Sequence, residues 1–244
     1  MTPQALYDLL EATWPPAFRH RVGPWAIREG QGGGQRVSAA TAEAGWVPDD
    51  LALAEHAMEA LGQPALFMVR AGDDALDAAL AARGYAVKDP VVAYLGQTAG
   101  LADPAPAPMA AFVHWPPLGI ARDIWAEAGI GPARVAVMER VRAARCAILG
   151  RQNDRASGVA FVALHEGVAM LHALEVVPAQ RRQGSANQIV RAAAAWALDH
   201  GADRVALVVT EANIPARRLY ASLGMELVGQ YHYRVRQERA GPQA

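Results

Sequence analysis

Apolar positions along this chain recur with two periods, and the switches between them outline the elements. The first apolar stretch carries Asp8 and Glu11 on its polar side and reads as an amphipathic helix, not a signal peptide. Residues 24–28 and 36–40 read as a hairpin around the glycine run Gly30–Gly34, which opens no helix and is taken as a loop tip. A helix at 50–61, a strand at 65–70 and a helix ending at Gly84 follow. Helices are expected at 119–129 and 132–144, separated by Gly129 and Gly131. Strands are expected at 146–151, 158–165 and 168–177, with turns at 153–155 and 166–167. An Ala-rich helix begins near Asn187 and runs to 200, followed by the β-branched strand VALVVT at 205–210. Asn213 and Pro215 suit the start of another helix, and Gly224 its end. A last strand covers 225–236, broken at Gly229.

The segment 97–108 holds alternating prolines at 104, 106 and 108 and reads as an extended connector. It divides the chain into an N-terminal lobe (1–96), the Pro/Ala linker (97–108) and a C-terminal lobe (109–244). A weak repeat relates the lobes at an offset of 140 residues. The strand at 65–70 overlays that at 205–210, Asp73 overlays Asn213, and Gly84 overlays Gly224. The repeat fails at two informative places. Leu80 faces Tyr220, and residues 41–45, with the acid Glu43, face the basic loop after Val177.

Composition narrows the function classes. A hydrophobic content of 52% supports a packed core, and a net charge of −1 argues against a general nucleic-acid binder. The lone Cys146 offers no disulfide, and seven scattered histidines show no metal-ligand spacing, so no metal is expected. No apolar run is long enough to cross a bilayer, so no membrane association and a cytoplasmic location are expected.

The chemistry concentrates in LEVVPAQRRQGSA, residues 174–186. A β-type run ends at Pro178, passes through a basic turn and opens into a helix. Backbone N–H groups of such a junction converge on an anion with the helix dipole behind them, and Arg181 and Arg182 add positive charge. A single glycine excludes the dinucleotide fingerprint, and the missing Gly-Lys-Ser/Thr ending excludes the nucleotide P-loop. The order Arg181-x-x-Gly184-x-Ala186 resembles the acyl-CoA signature of the GCN5-related N-acetyltransferase (GNAT) family. The segment from Asn213 through Ala216, Tyr220 and Gly224 to Met225 resembles that family's second conserved stretch. The two together cover roughly 110–236.

The resemblance implies a mixed α/β (α+β) fold of the acyl-CoA N-acyltransferase type. The C-terminal lobe would be catalytic and the N-terminal lobe a degenerate GNAT-like half of a tandem protein. It implies acetyl-CoA as co-substrate, with the pyrophosphate held by Arg181, Arg182, Gln183, Gly184, Ser185 and Ala186. The family's strand bulge implies a free backbone N–H at Val176 or Val177 for the thioester carbonyl. Tyr220 would serve as acid toward the leaving thiolate. Asn213 would cap its helix and reach the pantetheine, and Arg217, with Arg218, would approach the phosphates. Glu175 is the nearer candidate base and His172 the other. Regular alternation sets Glu175 with Ala173 and Val177, opposite His172 and Val176. Either valine could equally be core, Tyr220 could pack or position, and water could replace a dedicated base.

The expected acceptor is a small-molecule or peptide amine, with a possible homodimer and a non-catalytic acyl-CoA sensor as the alternative. Pocket candidates are the run 231–234, with Tyr231 and Tyr233 on one face and His232 and Arg234 on the other, together with His114, Trp115 and Trp125.

Overall fold

The computed structural model describes residues 1–236. In chain order the elements are α1 (Pro3–Thr13), β1 (Phe18–Val22), β2 (Trp25–Glu29), β3 (Thr41–Ala42), α2 (Leu51–Ala60), β4 (Leu66–Arg70), α3 (Asp74–Ala82) and β5 (Tyr85–Gln97). There follow α4 (Thr98–Ala102), β6 (Ala111–His114), α5 (Gly119–Glu127), α6 (Pro132–Arg140), β7 (Arg145–Gln152), β8 (Arg155–His165) and β9 (Val168–Val176). The chain ends with α7 (Ser185–Asp199), β10 (Arg204–Thr210), α8 (Ile214–Ser222) and β11 (Glu226–Arg236).

These elements form two compact units that do not follow sequence order. One comprises Met1–Pro15 and Val92–Gly229, the other Pro16–Val91 and the chain from Gln230 on. These units differ from a division at 96 and 109 at both ends of the described chain. Helix α1 packs on β8 and β9 of the first unit, and the end of β11 pairs with β4 of the second.

The first unit is a mixed sheet ordered β5-β10-β9-β8-β7-β6. Strands β6 to β9 pair antiparallel and β10 joins β9 in parallel. Helix α7 lays an almost continuous small-residue face on this sheet. Ile189, Val190, Ala193, Ala194 and Ala197 are buried with Ile148, Val162, Leu171 and Val205. Glycines set how closely it approaches: a Cβ on Gly150 would sit 2.8 Å from Ile189 Cδ1. Burying a side chain such as Ile189 contributes roughly 1.5–3 kcal/mol. Cys146 of β7 lies in the same core, and burial pushes its thiol up to about 12. On the opposite face Trp14 meets Phe161 edge-on, with ring centroids 6.1 Å apart.

Two expectations are corrected here. The presumed connector is not extended at its start, because Thr98–Ala102 is helical and Leu101 enters the core. Its proline stretch is tied down as well: Arg191 donates to the Pro104 carbonyl at 2.7 Å, and Ala107 N–H donates to Gln188 at 2.7 Å. Strand β11 runs unbroken through Gly229. That glycine serves close approach, since a Cβ there would lie 2.7 Å from Leu6 Cδ2 of α1.

The second unit has a three-stranded sheet ordered β1-β2-β3, and an antiparallel pair in which Tyr231, Tyr233 and Val235 of β11 face Arg70, Met68 and Leu66 of β4. Trp25, Leu51, Met58, Phe67, Leu76, Leu80 and Tyr85 fill its core. The hairpin partner of β2 is β1, upstream, and not residues 36–40. A 3-10 turn covers Gln35–Val37 instead. The first four residues of β1 are solvent-exposed, so no apolar alternation marks that strand in the sequence.

The 140-residue repeat reappears in the element bounds. Helices α3 (Asp74–Ala82) and α8 (Ile214–Ser222) are displaced by that offset, and each is followed by a left-handed glycine, Gly84 at φ +80° and Gly224 at φ +76°.

Candidate active site

The site is built where β9 leaves its neighbour. Pairing of β9 with β10 ends at Leu171↔Leu207, so residues 172–176 present an open edge on that side. On the other side β9 stays on β8 but changes register. His172 faces Phe161, whereas Glu175 faces Val159, so three steps on β9 match two on β8. The extra residue is a bulge, and Ala173 there adopts φ +51°, a left-handed conformation that non-glycine residues rarely take. The Trp125 indole N–H donates to the Ala173 carbonyl at 2.8 Å. On the β8 side Gly158 makes the room, because a Cβ there would sit 2.5 Å from the Glu175 carbonyl oxygen.

The bulge overturns the expected alternation. Residues paired across a ladder share a face, and Val159 and Phe161 lie on one face of β8. Glu175 therefore shares His172's face. The amides separate too. Val177 N–H donates to the Ser157 carbonyl at 2.9 Å and is spent on the sheet. Alternation then turns the Val176 backbone to the open edge, where its carbonyl accepts from Arg181 Nε at 3.2 Å. Of the two valines, only Val176 has an N–H pointing toward the opening.

Beyond Val177 the chain makes a 3-10 turn at Pro178–Gln180 and an exposed loop with two left-handed residues, Arg182 at φ +60° and Gly184 at φ +88°. Gly184 is the N-cap of α7 and supplies no side-chain acceptor. The first helical bond runs from Gln188 N–H to the Gly184 carbonyl. The N–H groups of Ser185, Ala186 and Asn187 fall in the first turn of α7, where a helix supplies no acceptor of its own, and no side chain caps them. Open amides at a helix N-terminus, with two exposed guanidinium groups beside them, fit a pyrophosphate. The loop is held from the β7–β8 turn by Asn153, which donates to Gln183 Oε1 at 2.9 Å.

Helix α8 brings in Tyr220. It is buried, its ring centroid lies 5.8 Å from that of Tyr94, and no described residue hydrogen-bonds its hydroxyl. Burial, with the Glu175 charge adding to it, pushes its hydroxyl up to about 12. Glu175 is half-buried, and burial raises its carboxyl above the usual range against the opposing pull of Arg181 and Arg134. Asn213 caps α8, its Oδ1 accepting from Ala216 N–H at 3.2 Å. Arg217 turns back to donate to the Glu211 carbonyl at 3.2 Å, and Arg218 is exposed.

His172 is occupied otherwise. Its Nε2 lies 2.9 Å from Thr13 Oγ1, whose hydroxyl donates to the Leu9 carbonyl at 2.6 Å. With that hydroxyl proton committed, Nε2 carries the proton and donates to Thr13. Packed against Trp14 and Phe161, this is a structural histidine.

The 231–234 run is engaged inside the second unit. His232 and Arg234 both bind Asp77 at 2.7 Å, and Arg234 also reaches the Tyr85 carbonyl. Tyr231 and Tyr233 are buried edge to face, with centroids 5.6 Å apart. His114 contacts the Phe112 carbonyl, Trp115 stacks under Arg145, and Trp125 is fully buried. Among the described residues no group of three His, Cys, Asp or Glu side chains could hold a metal ion. None of the helices among them is long and apolar enough to span a membrane.

Sequence reasoning missed the Trp125–Ala173 bond, the Asn153–Gln183 tie and Arg134. Each depends on contacts distant in sequence that no local motif marks.

Residues 117–225, which hold the splayed β9–β10 pair and the start of α7, match the model of the Acetyltransferase (GNAT) family. Over that segment the chain is similar to GNAT acetyltransferase domains, a match that supports an acyltransferase enzyme. It is 26% identical over 237 residues to the Bacillus subtilis (strain 168) protein named "Uncharacterized N-acetyltransferase YobR", covering 93% of this chain and 96% of that one. Among solved structures it is similar to a GCN5-related N-acetyltransferase from Kribbella flavida (TM-score 0.73, 18% identity, 97% of this chain and 96% of that one). It is also similar to a tandem GNAT protein from the clavulanic acid biosynthesis pathway (TM-score 0.61, 18% identity, 95% and 86%). These last two likenesses are of fold.

Proposed function

We propose that this chain is an acetyl-CoA-dependent N-acetyltransferase that passes the acetyl group to a primary amine by direct attack in a ternary complex. The observation that carries the reading is the uncapped N-terminus of α7, with exposed Arg181 and Arg182 beside it, continuous with the open edge of β9. Acetyl-CoA supplies the acetyl group as a thioester.

The residues of the first unit divide the work. The cradle of Arg181, Arg182, Gln183, Gly184, Ser185 and Ala186 binds the phosphates and aligns the rest of the ligand along β9. Val176 N–H donates to the acyl oxygen, and one such donor aimed at developing negative charge is worth roughly 3 kcal/mol. Val177 supports that geometry through its sheet bond. Glu175 takes the proton of the incoming amine at its carboxylate, directly or through water. Its raised pKa moves it toward the operating pH, as suits a base. Tyr220 stays protonated at neutral pH. With a hydroxyl near 12 it is a weaker acid than a free phenol, so its role is to donate a hydrogen bond to the departing sulfur. Asn213 orients the start of α8, and Arg217 braces the loop before it.

The second unit is read as a degenerate GNAT-like half that binds no coenzyme. Its segment 41–45, which faces the basic loop in the repeat, brings Glu43 and no arginine, and α2 starts beside Asp49 and Asp50.

Calorimetry with acetyl-CoA tests the reading. A dissociation constant near 1 μM, about 8 kcal/mol, lost in the Arg181→Glu/Arg182→Glu variant, is the expected result. Turnover is then read as thiol release with a panel of amines. Binding without turnover on any amine would favour a non-catalytic acyl-CoA sensor, and no binding to the folded protein would end both readings.

A further inference from the structure

We infer that Trp125 is a positioning residue for acyl transfer: its indole N–H, by holding the Ala173 carbonyl, fixes the bulge that aims Val176 N–H and Glu175. The kinetic part of this inference rests on the function proposed above.

The geometry requires a holder. Ala173 sits at φ +51°, and a non-glycine residue in that region costs of order 1–3 kcal/mol unless its surroundings enforce it. Its carbonyl has left the β10 ladder, which ended at Leu171. A carbonyl at such a place needs a donor, since leaving it unmatched costs about 1–3 kcal/mol. Trp125 is fully buried in α5 and brings the donor to 2.8 Å. Two devices thus lock one bulge from opposite sides. Gly158 leaves space for the Glu175 carbonyl, and Trp125 ties down the residue that must take the left-handed turn.

The consequence reaches the reacting atoms through the backbone. With the bulge in place, Glu175 faces Val159's side, Val176 N–H faces the opening, and Val177 N–H is sealed on Ser157. Without it, regular alternation would carry Glu175 to the α7 face and its apolar core. A tryptophan that merely fills volume would leave this choice of register untouched.

The test removes the donor and keeps the ring. In Trp125→Phe, kcat should fall about tenfold, the loss of one net hydrogen bond, with the KM for acetyl-CoA within about twofold because the cradle is untouched. Hydrogen exchange of the backbone over 172–177 should quicken about tenfold while that over 181–187 stays unchanged. Adding Ala173→Gly to Trp125→Phe should restore most of the lost kcat, because glycine takes the left-handed turn without help. If Trp125→Phe does not fold, a benzothiophene side chain at 125 keeps the indole shape and removes only the N–H. Wild-type exchange and wild-type kcat in a folded donor-less variant would overturn the inference. If the wild type acetylates no amine, the functional reading fails separately, and the exchange arm alone decides the role of Trp125.

Discussion

Helices α7 and α2 carry opposite charge at their starts. Both follow a strand region, both pack on the core of their own unit, and at the 140-residue offset α2 falls on residues 191–200, in the second half of α7 and just past its end. The start of α7 is a left-handed glycine with no side-chain cap, flanked by two exposed arginines. The start of α2 carries Asp49 and Asp50, and Asp50 Oδ2 accepts from Val47 N–H at 2.9 Å. Neither helix has a side-chain cap, so the contrast is one of charge: carboxylates at the start of α2, guanidinium groups at that of α7. A second contrast runs in parallel. Asn213 caps α8 and Tyr220 lies in that helix, whereas Asp73 turns its carboxylate to Arg70 and Leu80 is plain core. Similar helices thus start among arginines in one unit and among aspartates in the other, which is the contrast the proposed function rests on.

The largest expected effect tests the open end directly. Arg181→Glu with Arg182→Glu should weaken acetyl-CoA binding by about 100-fold or more, from two lost charge-assisted contacts, with the melting temperature little changed. Unchanged affinity would erase the distinction between the two helix starts. Next, Tyr220→Phe should lower kcat by about tenfold or more while coenzyme affinity stays within about twofold. An unaltered kcat would put Tyr220 on the same footing as Leu80. The pH profile sharpens the picture further. Burial raises the Glu175 carboxyl, so the carboxylate forms later than for a free glutamate and kcat/KM should rise with pH through that raised value. Glu175→Gln should flatten that limb, and a limb that survives the substitution would assign the proton elsewhere. The stoichiometry of acetyl-CoA should be one per chain. Asp49→Asn with Asp50→Asn should leave it at one, and a second site appearing would break the contrast.

The smallest effect belongs to the scaffold. Hydrogen bonds from Arg234, then from His232, hold Asp77 at about 2, below its usual 3.8. A lowered folded pKa gives stability that is present above 3.8 and is lost as pH falls toward 2. The carboxylate is a third exposed, so Asp77→Asn should cost under about 1 kcal/mol and a few degrees in melting temperature at neutral pH. Coenzyme affinity should not change.

Much of the fold was legible because its elements bury one face each. The helices and strands of the segment 117–225 follow from periodicity and from glycine punctuation, and the loop that opens into α7 from one basic turn. Three things were hidden for physical reasons. Strand β1 is solvent-exposed over its first four residues, so it lacks the alternation by which strands are read. The bulge at Ala173 leaves no local mark, because alanine is not a residue that announces a left-handed turn, and the two residues that fix it are distant in sequence. The unit boundaries depend on α1 and the end of β11 joining partners far along the chain.

The single cysteine has a practical consequence. Cys146 is buried at 2% exposure and its thiol is held near 12, so little thiolate exists at any pH used for assay. A disulfide dye added to a turnover mixture should therefore colour only with thiol liberated from the donor, with no blank from folded protein. The same dye, given the protein alone in denaturant, becomes a stopwatch for the opening of the β7 core, counting one equivalent per molecule unfolded.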